Sequence, residues 1–149
     1  MSRTTDYLMN TRRIVKLHES MLKSICSRYQ LTLMEAKIIS FLHNNPGLDT
    51  AADIVELRTL SKGNVSQAVE TLIQKSLLER SQDREDRRKI HLSLLPAAKP
   101  VTDDIDRIGE EFHQELLQGF SEEEWEQLSE LNRRLMDNAR AALKRREGK

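Results

Sequence analysis

Seven consecutive ionisable residues, Asp83, Arg84, Glu85, Asp86, Arg87, Arg88 and Lys89, interrupt a stretch whose two flanks, LLERSQ and IHLSL, carry apolar residues. Arginine presents a rigid fork of donors matched to carboxylate and phosphate oxygens. Aspartate at a hairpin tip can accept from nearby backbone N–H groups. Asp86 can also orient an arginine side chain through a bidentate pair. A charge run is most often a solvated surface or a disordered tail. Here the flanks alternate as strands do, which a disordered tail has no reason to do. The run is therefore either a bland hairpin tip or a charged finger directed at a partner.

A second set of polar groups lies just upstream, in SKGNVSQAVETLIQKS from Ser61 to Ser76. Val65, Val69, Leu72 and Ile73 form an apolar stripe at helical spacing. Gly63, Asn64, Gln67, Glu70, Thr71 and Gln74 point the other way, with Ser66 at the boundary. The side-chain amides of Asn64 and Gln67 donate and accept at once, and the hydroxyls of Ser66 and Thr71 can do either. Such residues are also ordinary surface, so their meaning depends on the elements around them.

Other chemistries find little support. A Gly-rich phosphate loop and a nucleophile elbow are both missing, and the paired carboxylates, such as Glu122 to Glu124, sit in solvated runs. An enzyme is not expected, and neither is a cofactor. His18, His43, His91 and His113 show no short metal-ligand spacing. The single Cys26 excludes an internal disulfide framework and suits a reducing compartment. The N-terminal residues carry charges where a signal peptide needs apolar ones, and no segment approaches the ~18 apolar residues of a membrane span. A cytoplasmic protein is expected.

The 149 residues fit one domain with helical appendages, and 32% charged residues point to long solvated helices. Net charge is zero, yet unevenly spread. Thr102 to Glu126 holds ten acids against Arg107 alone, a net of −9, whereas Arg58 to His91 carries +3. The acids can serve simply to keep one face soluble.

Several elements position the two polar sets. Ile14, Leu17, His18, Met21, Ile25 and Tyr29 recur every three or four residues, predicting an amphipathic first helix. Thr32 with Glu35 forms a capping box for a second helix, which Asn44, Asn45, Pro46 and Gly47 end. Thr50 caps a short helix from Ala51 to about Arg58, with Asp53 at the reciprocal position, and Ser61 begins the next. Two short capped helices with few linking residues read as a helix-turn-helix. Strands are expected at Leu77 to Arg80 and Lys89 to Leu94, with Ile90, Leu92 and Leu94 on one face. A hairpin following a helix-turn-helix makes a winged helix.

Pro96 suits the first turn of a further helix. Its stripe, Val101, Ile105, Ile108, Phe112, Leu116 and Phe120, is expected to continue past Gly119. Ser121 with Glu124 boxes the last helix, expected to bury Trp125, Leu128, Leu131, Leu135 and Ala139. Terminal helices of about 25 residues extend roughly 35 to 40 Å, more than a winged helix can cover. A second copy of the chain is the simplest cover, so a homodimer is expected.

The order of elements, with LTLMEAKIISFL and above all LLERSQDREDRR, resembles the MarR family of bacterial transcription regulators. Asp83, Asp86 and Arg88 match the family's Asp-x-x-Asp-x-Arg wing. The implied fold is mainly α with a small β-hairpin wing: a winged helix-turn-helix (residues 31–95) between long dimerisation helices (1–30 and 96–149). The implied function is a homodimer binding a pseudo-palindromic double-stranded DNA operator, generally as a repressor released by a small aromatic or anionic effector. Two-fold symmetry then sets half-sites about 10 bp apart. The second helix of such a motif enters the major groove. Ser61, Lys62, Gly63, Asn64, Ser66, Gln67 and Thr71 are its candidate contacts, with Lys62 better suited to phosphate and Gly63 letting the backbone approach closely. Arg84, Asp86, Arg87 and Arg88 are the wing candidates, and the resemblance favours Arg88 as the one entering a minor groove.

Three alternatives accompany this reading. One is a winged helix used only for protein contacts. Some relatives sense oxidants through one cysteine, although Cys26 lies late in its helix and reads better as a structural thiol. Others bind zinc through scattered ligands, for which Glu19, Cys26, His43 and His113 would have to converge. The chain departs from the family at LLPAAK, where Leu95 and Ala98 replace a capping Thr and a Gly. Leu95 cannot cap, so Pro96 or Ser93 must define that helix start.

Overall fold

A computed structural model describes residues 1–58 and 60–148. Its order is α1 (Arg3–Tyr29), α2 (Leu33–Asn44), α3 (Ala51–Arg58), α4 (Lys62–Gln74), β1 (Leu78–Gln82), β2 (Ile90–Leu94), a 3-10 turn at Pro96–Ala98, α5 (Lys99–Leu116) and α6 (Glu122–Glu147). It is a mainly helical fold with one small hairpin. Among the described residues no helix is long and apolar enough to cross a membrane.

The caps form as the sequence dictates. Thr32 accepts from the Glu35 N–H at 3.1 Å while the Glu35 carboxylate accepts from the Thr32 N–H at 2.8 Å. Thr50 and Asp53 repeat the exchange at the start of α3, and Ser121 and Glu124 at the start of α6. Each cap satisfies helix N–H groups that have no partner of their own. Ser61 caps α4 by accepting from the Asn64 N–H. Leu95, as expected, offers no capping bond. Pro96 in the first turn lacks the N–H that would need one, and so defines the helix start.

The chain divides into two compact units, Met1–Phe112 and the residues from His113 onward. The first holds the core: Leu22 and Ile25 of α1, Ile38 and Ile39 of α2, Ile54 of α3, Val65 and Leu72 of α4, Leu78 and Leu92 of the hairpin, and Val101, Ile105 and Ile108 of α5. Each such side chain contributes about 1.5–3 kcal/mol through burial. Polar ties supplement it. Asp104 of α5 accepts from the Tyr29 hydroxyl at 2.6 Å, from Arg28 at 3.2 Å and from Arg107 at 2.5 Å, fastening the end of α1 to α5. Tyr29, then the two arginines, hold that carboxyl below the usual carboxylate range.

Four expectations need correction. The strands pair antiparallel from Leu78 with Leu94 to Gln82 with Ile90, so β1 runs two residues beyond Arg80, and Leu77 and Lys89 lie outside the ladder. Only Leu92 of the expected strand face is buried. Ile90, paired with the tip end of β1, is 45% exposed. The α5 stripe stops at Leu116, because Gly119 takes a positive φ of 85° and turns the chain, leaving Phe120 exposed. Finally, α6 buries none of its residues. Leu128, Leu131 and Leu135 are 42%, 53% and 51% exposed. The stripe exists, but it is exposed along the helix.

Candidate nucleic-acid interface

The α4 helix places its polar residues as its periodicity demands. Val65, Ala68, Val69 and Leu72 are buried, whereas Lys62, Gly63, Asn64, Ser66 and Gln67 are exposed. The Thr71 hydroxyl donates to the Gln67 carbonyl at 3.1 Å, so its methyl group is the more available part. Ser61 is half-committed, because its oxygen already caps the helix. Among the described residues nothing beyond the helix's own backbone lies within 4 Å of where a Cβ on Gly63 would stand, so packing does not demand glycine there. A cleft of about 380 Å³ between the start of α2 and α4 is lined by Thr32, Met34, Asn64, Gln67 and Thr71. Beneath it, Lys75 reaches the buried Glu35 carboxylate at 3.1 Å. Glu70 pairs with Arg80 of β1, which ties α4 to the hairpin and neutralises an acid on this face.

The hairpin tip is built by its aspartates. Asp83 Oδ2 accepts from the Glu85 N–H at 3.0 Å and the Asp86 N–H at 2.9 Å. Asp86 Oδ1 accepts from the Arg88 N–H at 3.0 Å and lies 3.5 Å from Arg88 Nε. That contact uses one oxygen, at a distance beyond a good hydrogen bond, so the expected bidentate pair does not form. Gln82 donates to the Arg87 carbonyl at 3.0 Å. With the backbone fixed, Arg84, Arg87 and Arg88 all extend into solvent, Arg88 with 94% of its side chain exposed.

Sequence reasoning missed the contacts that hold this tip to the body. His91 of β2 has Nε2 2.7 Å from Asp83 Oδ1 and Nδ1 2.7 Å from Asp49 Oδ1, on the loop before α3. The Asp49 carbonyl also accepts from the Leu92 N–H at 2.8 Å. Asp49 is 42 positions from His91, too far for any local pattern to signal the pairing. Asp83 is depressed to about 2, by His91 first and then by the two backbone N–H groups. His91 is raised, by Asp83 first and Asp49 second.

The arrangement offers a polar helix face of neutral donors and acceptors beside a rigid tip carrying three exposed guanidinium groups. It can read base edges and neutralise phosphates. Cys26 is half-buried on α1, and burial pushes its thiol up, away from the reactive thiolate. His43 pairs with Asp106. Among the described residues no three His, Cys, Asp or Glu side chains are placed to hold a metal ion.

Comparison with known proteins points the same way. Residues 29–89 match the family model described as MarR family. An uncharacterised HTH-type transcriptional regulator of Bacillus subtilis, YwaE, is 30% identical over 126 residues, covering 83% of this chain and 71% of that protein. The chain belongs to the MarR family. It is a DNA-binding transcriptional regulator, as MarR-family proteins are, and not an enzyme. Solved MarR-family structures share its fold. Staphylococcus aureus MepR in its DNA-binding conformation superposes with a TM-score of 0.76 at 21% identity, over 89% of this chain and 98% of that one. A Silicibacter pomeroyi regulator gives 0.72 at 24%, over 89% and 88%. Bordetella bronchiseptica BpsR, whose DNA binding is regulated by 6-hydroxynicotinic acid, gives 0.64 at 22%, over 90% and 99%.

Proposed function

We propose that this MarR-family chain is a cytoplasmic homodimeric repressor. Each protomer lays α4 in the major groove and its wing arginines in the flanking minor groove of a pseudo-palindromic operator. Residues 31–95 bind DNA, and residues 1–30 and 96–149 join the protomers. The observation that carries this reading is the set of three exposed arginines on a tip fixed beside the exposed polar face of α4. A narrow A/T-rich minor groove attracts such side chains through its enhanced negative potential. Lys62 and Ser61 are assigned to phosphate, Asn64, Ser66, Gln67 and Thr71 to bases or phosphate, and Gly63 to close backbone approach. Asp86 shapes the tip.

The test is a salt titration on duplexes selected by the protein from a random pool, beside unselected DNA. Affinity for both should fall as salt rises, because phosphate contacts release counterions. Binding indifferent to salt would leave a winged helix for protein contacts alone. In the same assay Gln67→Ala should cost about 1–3 kcal/mol on the selected duplex and little on random DNA. Equal losses on both would remove Gln67 from base reading.

We also infer that a small aromatic anion releases the DNA by binding a cleft of about 410 Å³ between α1, α2, α3 and the end of the first unit's α5. Ile14, Leu57 and Phe112 supply apolar walls, while His18, Lys37 and Arg58 supply donors. Lys37 already pairs with Glu19 at 2.6 Å. Burial lowers Arg58, the sign of a cation short of solvent, against the opposing pull of the Glu19 carboxylate. Burial first and Arg58 second lower His18, so near neutral pH it stands as a neutral hydrogen-bonding ring. BpsR's response to 6-hydroxynicotinic acid suggests probes. A panel of aromatic carboxylates should contain one that raises the wild-type Tm by several degrees at saturation, and Arg58→Gln should abolish most of that rise. An equal rise in the variant would move the ligand elsewhere.

A further inference from the structure

Asp49, His91 and Asp83 belong to three separate pieces of the DNA-binding unit: the loop ahead of α3, strand β2 and the hairpin tip. Both ring nitrogens of His91 lie 2.7 Å from a carboxylate oxygen. A carboxylate only accepts, so each of those short contacts requires an N–H on the ring. Neutral imidazole has one N–H. Imidazolium has two. The geometry is thus that of a protonated histidine held between two carboxylates.

We propose that this trio is a proton-loaded clamp that positions the wing, so that operator affinity falls as pH rises through the titration of His91. Asp49, His91 and Asp83 are positioning residues; none needs to touch DNA. The proposal rests on the reading of the wing arginines as DNA contacts.

The mechanism follows from proton and charge balance. Loss of one proton from His91 leaves a single donor for two carboxylates, and the other contact becomes lone pair against lone pair. Either the Asp49 side chain releases β2 or Asp83 releases the ring. Asp83 also accepts the Glu85 and Asp86 N–H groups, so it is the better-held partner and Asp49 is the one freed. The trio's charge moves from −1 to −2 at the base of a tip that must approach phosphates. Both effects weaken DNA binding. The charged groups acting on His91 are Asp83 from the tip and Asp49 from the loop, and both favour its charged form. With its pKa raised, the clamp is complete below the ordinary histidine value of 6.5 and is lost as pH climbs through the raised one. Asp83 stays ionised down to about 2, so it keeps its charge throughout this window.

The experiment compares the full-length wild type, His91→Gln and Asp49→Asn between about pH 6 and pH 9 on one duplex selected by the wild type. A glutamine in place of the histidine has a donor for only one carboxylate. His91→Gln should therefore be flat across the range and as weak as the wild type at high pH. An asparagine in place of the aspartate can turn its amide N–H toward a neutral ring while the other ring N–H serves Asp83. Asp49→Asn keeps both contacts in either protonation state, so it should retain only the shallower slope of the ring's charge and bind at least as tightly as the wild type throughout. The wild type should lose about three- to tenfold between the limits. His18, His43 and His113 remain in all three proteins, so differences between the profiles isolate the clamp. A residue with a merely structural role would shift affinity at every pH and keep the wild-type slope. Parallel profiles in the three proteins would overturn the proposal. NMR on the proteins without DNA keeps the two readings apart. The wild-type His91 ring should titrate above 6.5, and the amides of residues 84–88 should become less ordered with it. Unchanged wing order across the titration also overturns the clamp. An ordered, titrating wing in a protein that binds no duplex would overturn the DNA reading instead.

Discussion

Arg88→Ala should lower affinity for the selected operator by about tenfold or more, without changing thermal unfolding or the oligomeric state. The separation of the two effects follows from where the side chain sits. Arg88 is 94% exposed, and its ion pair with Asp86 is long and solvated. Surface pairs of that kind contribute about 0–1 kcal/mol. The backbone of the tip does not depend on the guanidinium, because Asp86 holds the Arg88 N–H and Gln82 holds the Arg87 carbonyl. On the proposed docking, what is lost is a cation delivered to the groove. Fluorescence anisotropy on duplexes with A/T or G/C flanks gives the test. The wild type should prefer A/T flanks, and the variant should lose most of that preference. Unchanged affinity would remove Arg88 from the interface, and the same measurement at Arg84 and Arg87 would then decide between them.

The wing also shows how far local pattern carries. The capping pairs Thr32 with Glu35, Thr50 with Asp53 and Ser121 with Glu124 are read directly, since each is a bond between residues three apart. The polar face of α4 is equally legible, because helical spacing alone separates Gln67 from Val65 and Leu72. The exposure of Ile90 escapes such a reading, because alternation assigns faces but cannot say how far along a hairpin the core extends. Phe120 escapes it because the stripe's spacing continues through Gly119, while the backbone turns there. Arg84, Arg87 and Arg88 can be named from sequence, but not what fixes them. His91 reads as one polar residue in a strand. Its partners lie 8 and 42 positions away and are chosen by the packing of the α2–α3 loop on the hairpin. The same holds for Asp104, whose partners on α1 are more than 70 positions distant. Long-range polar contacts are the illegible part, and here they position the site.

The exposed stripe of α6 supports the largest effect of all. On the proposed homodimer the wild type should run as a dimer in sedimentation velocity, and a chain carrying both Leu131→Glu and Leu135→Glu should run as a monomer. Both positions are about half exposed in the single chain, and Leu128 and Leu143 extend the same row. Covering each leucine in an interface contributes about 1.5–3 kcal/mol, and introducing a carboxylate there adds the cost of burying a charge. Glutamate is a good helix former, so α6 itself should persist by circular dichroism. The first unit's core contains neither residue, so its unfolding should be retained. Operator affinity should nevertheless drop by about 100-fold or more, since two linked half-site contacts become two independent ones. A duplex carrying a single half-site separates this from damage to the DNA-binding face: there the variant should bind as the wild type does. A variant that remains dimeric would refute α6 as the joining surface. A monomeric variant with undiminished operator affinity would refute the two-half-site reading of the operator.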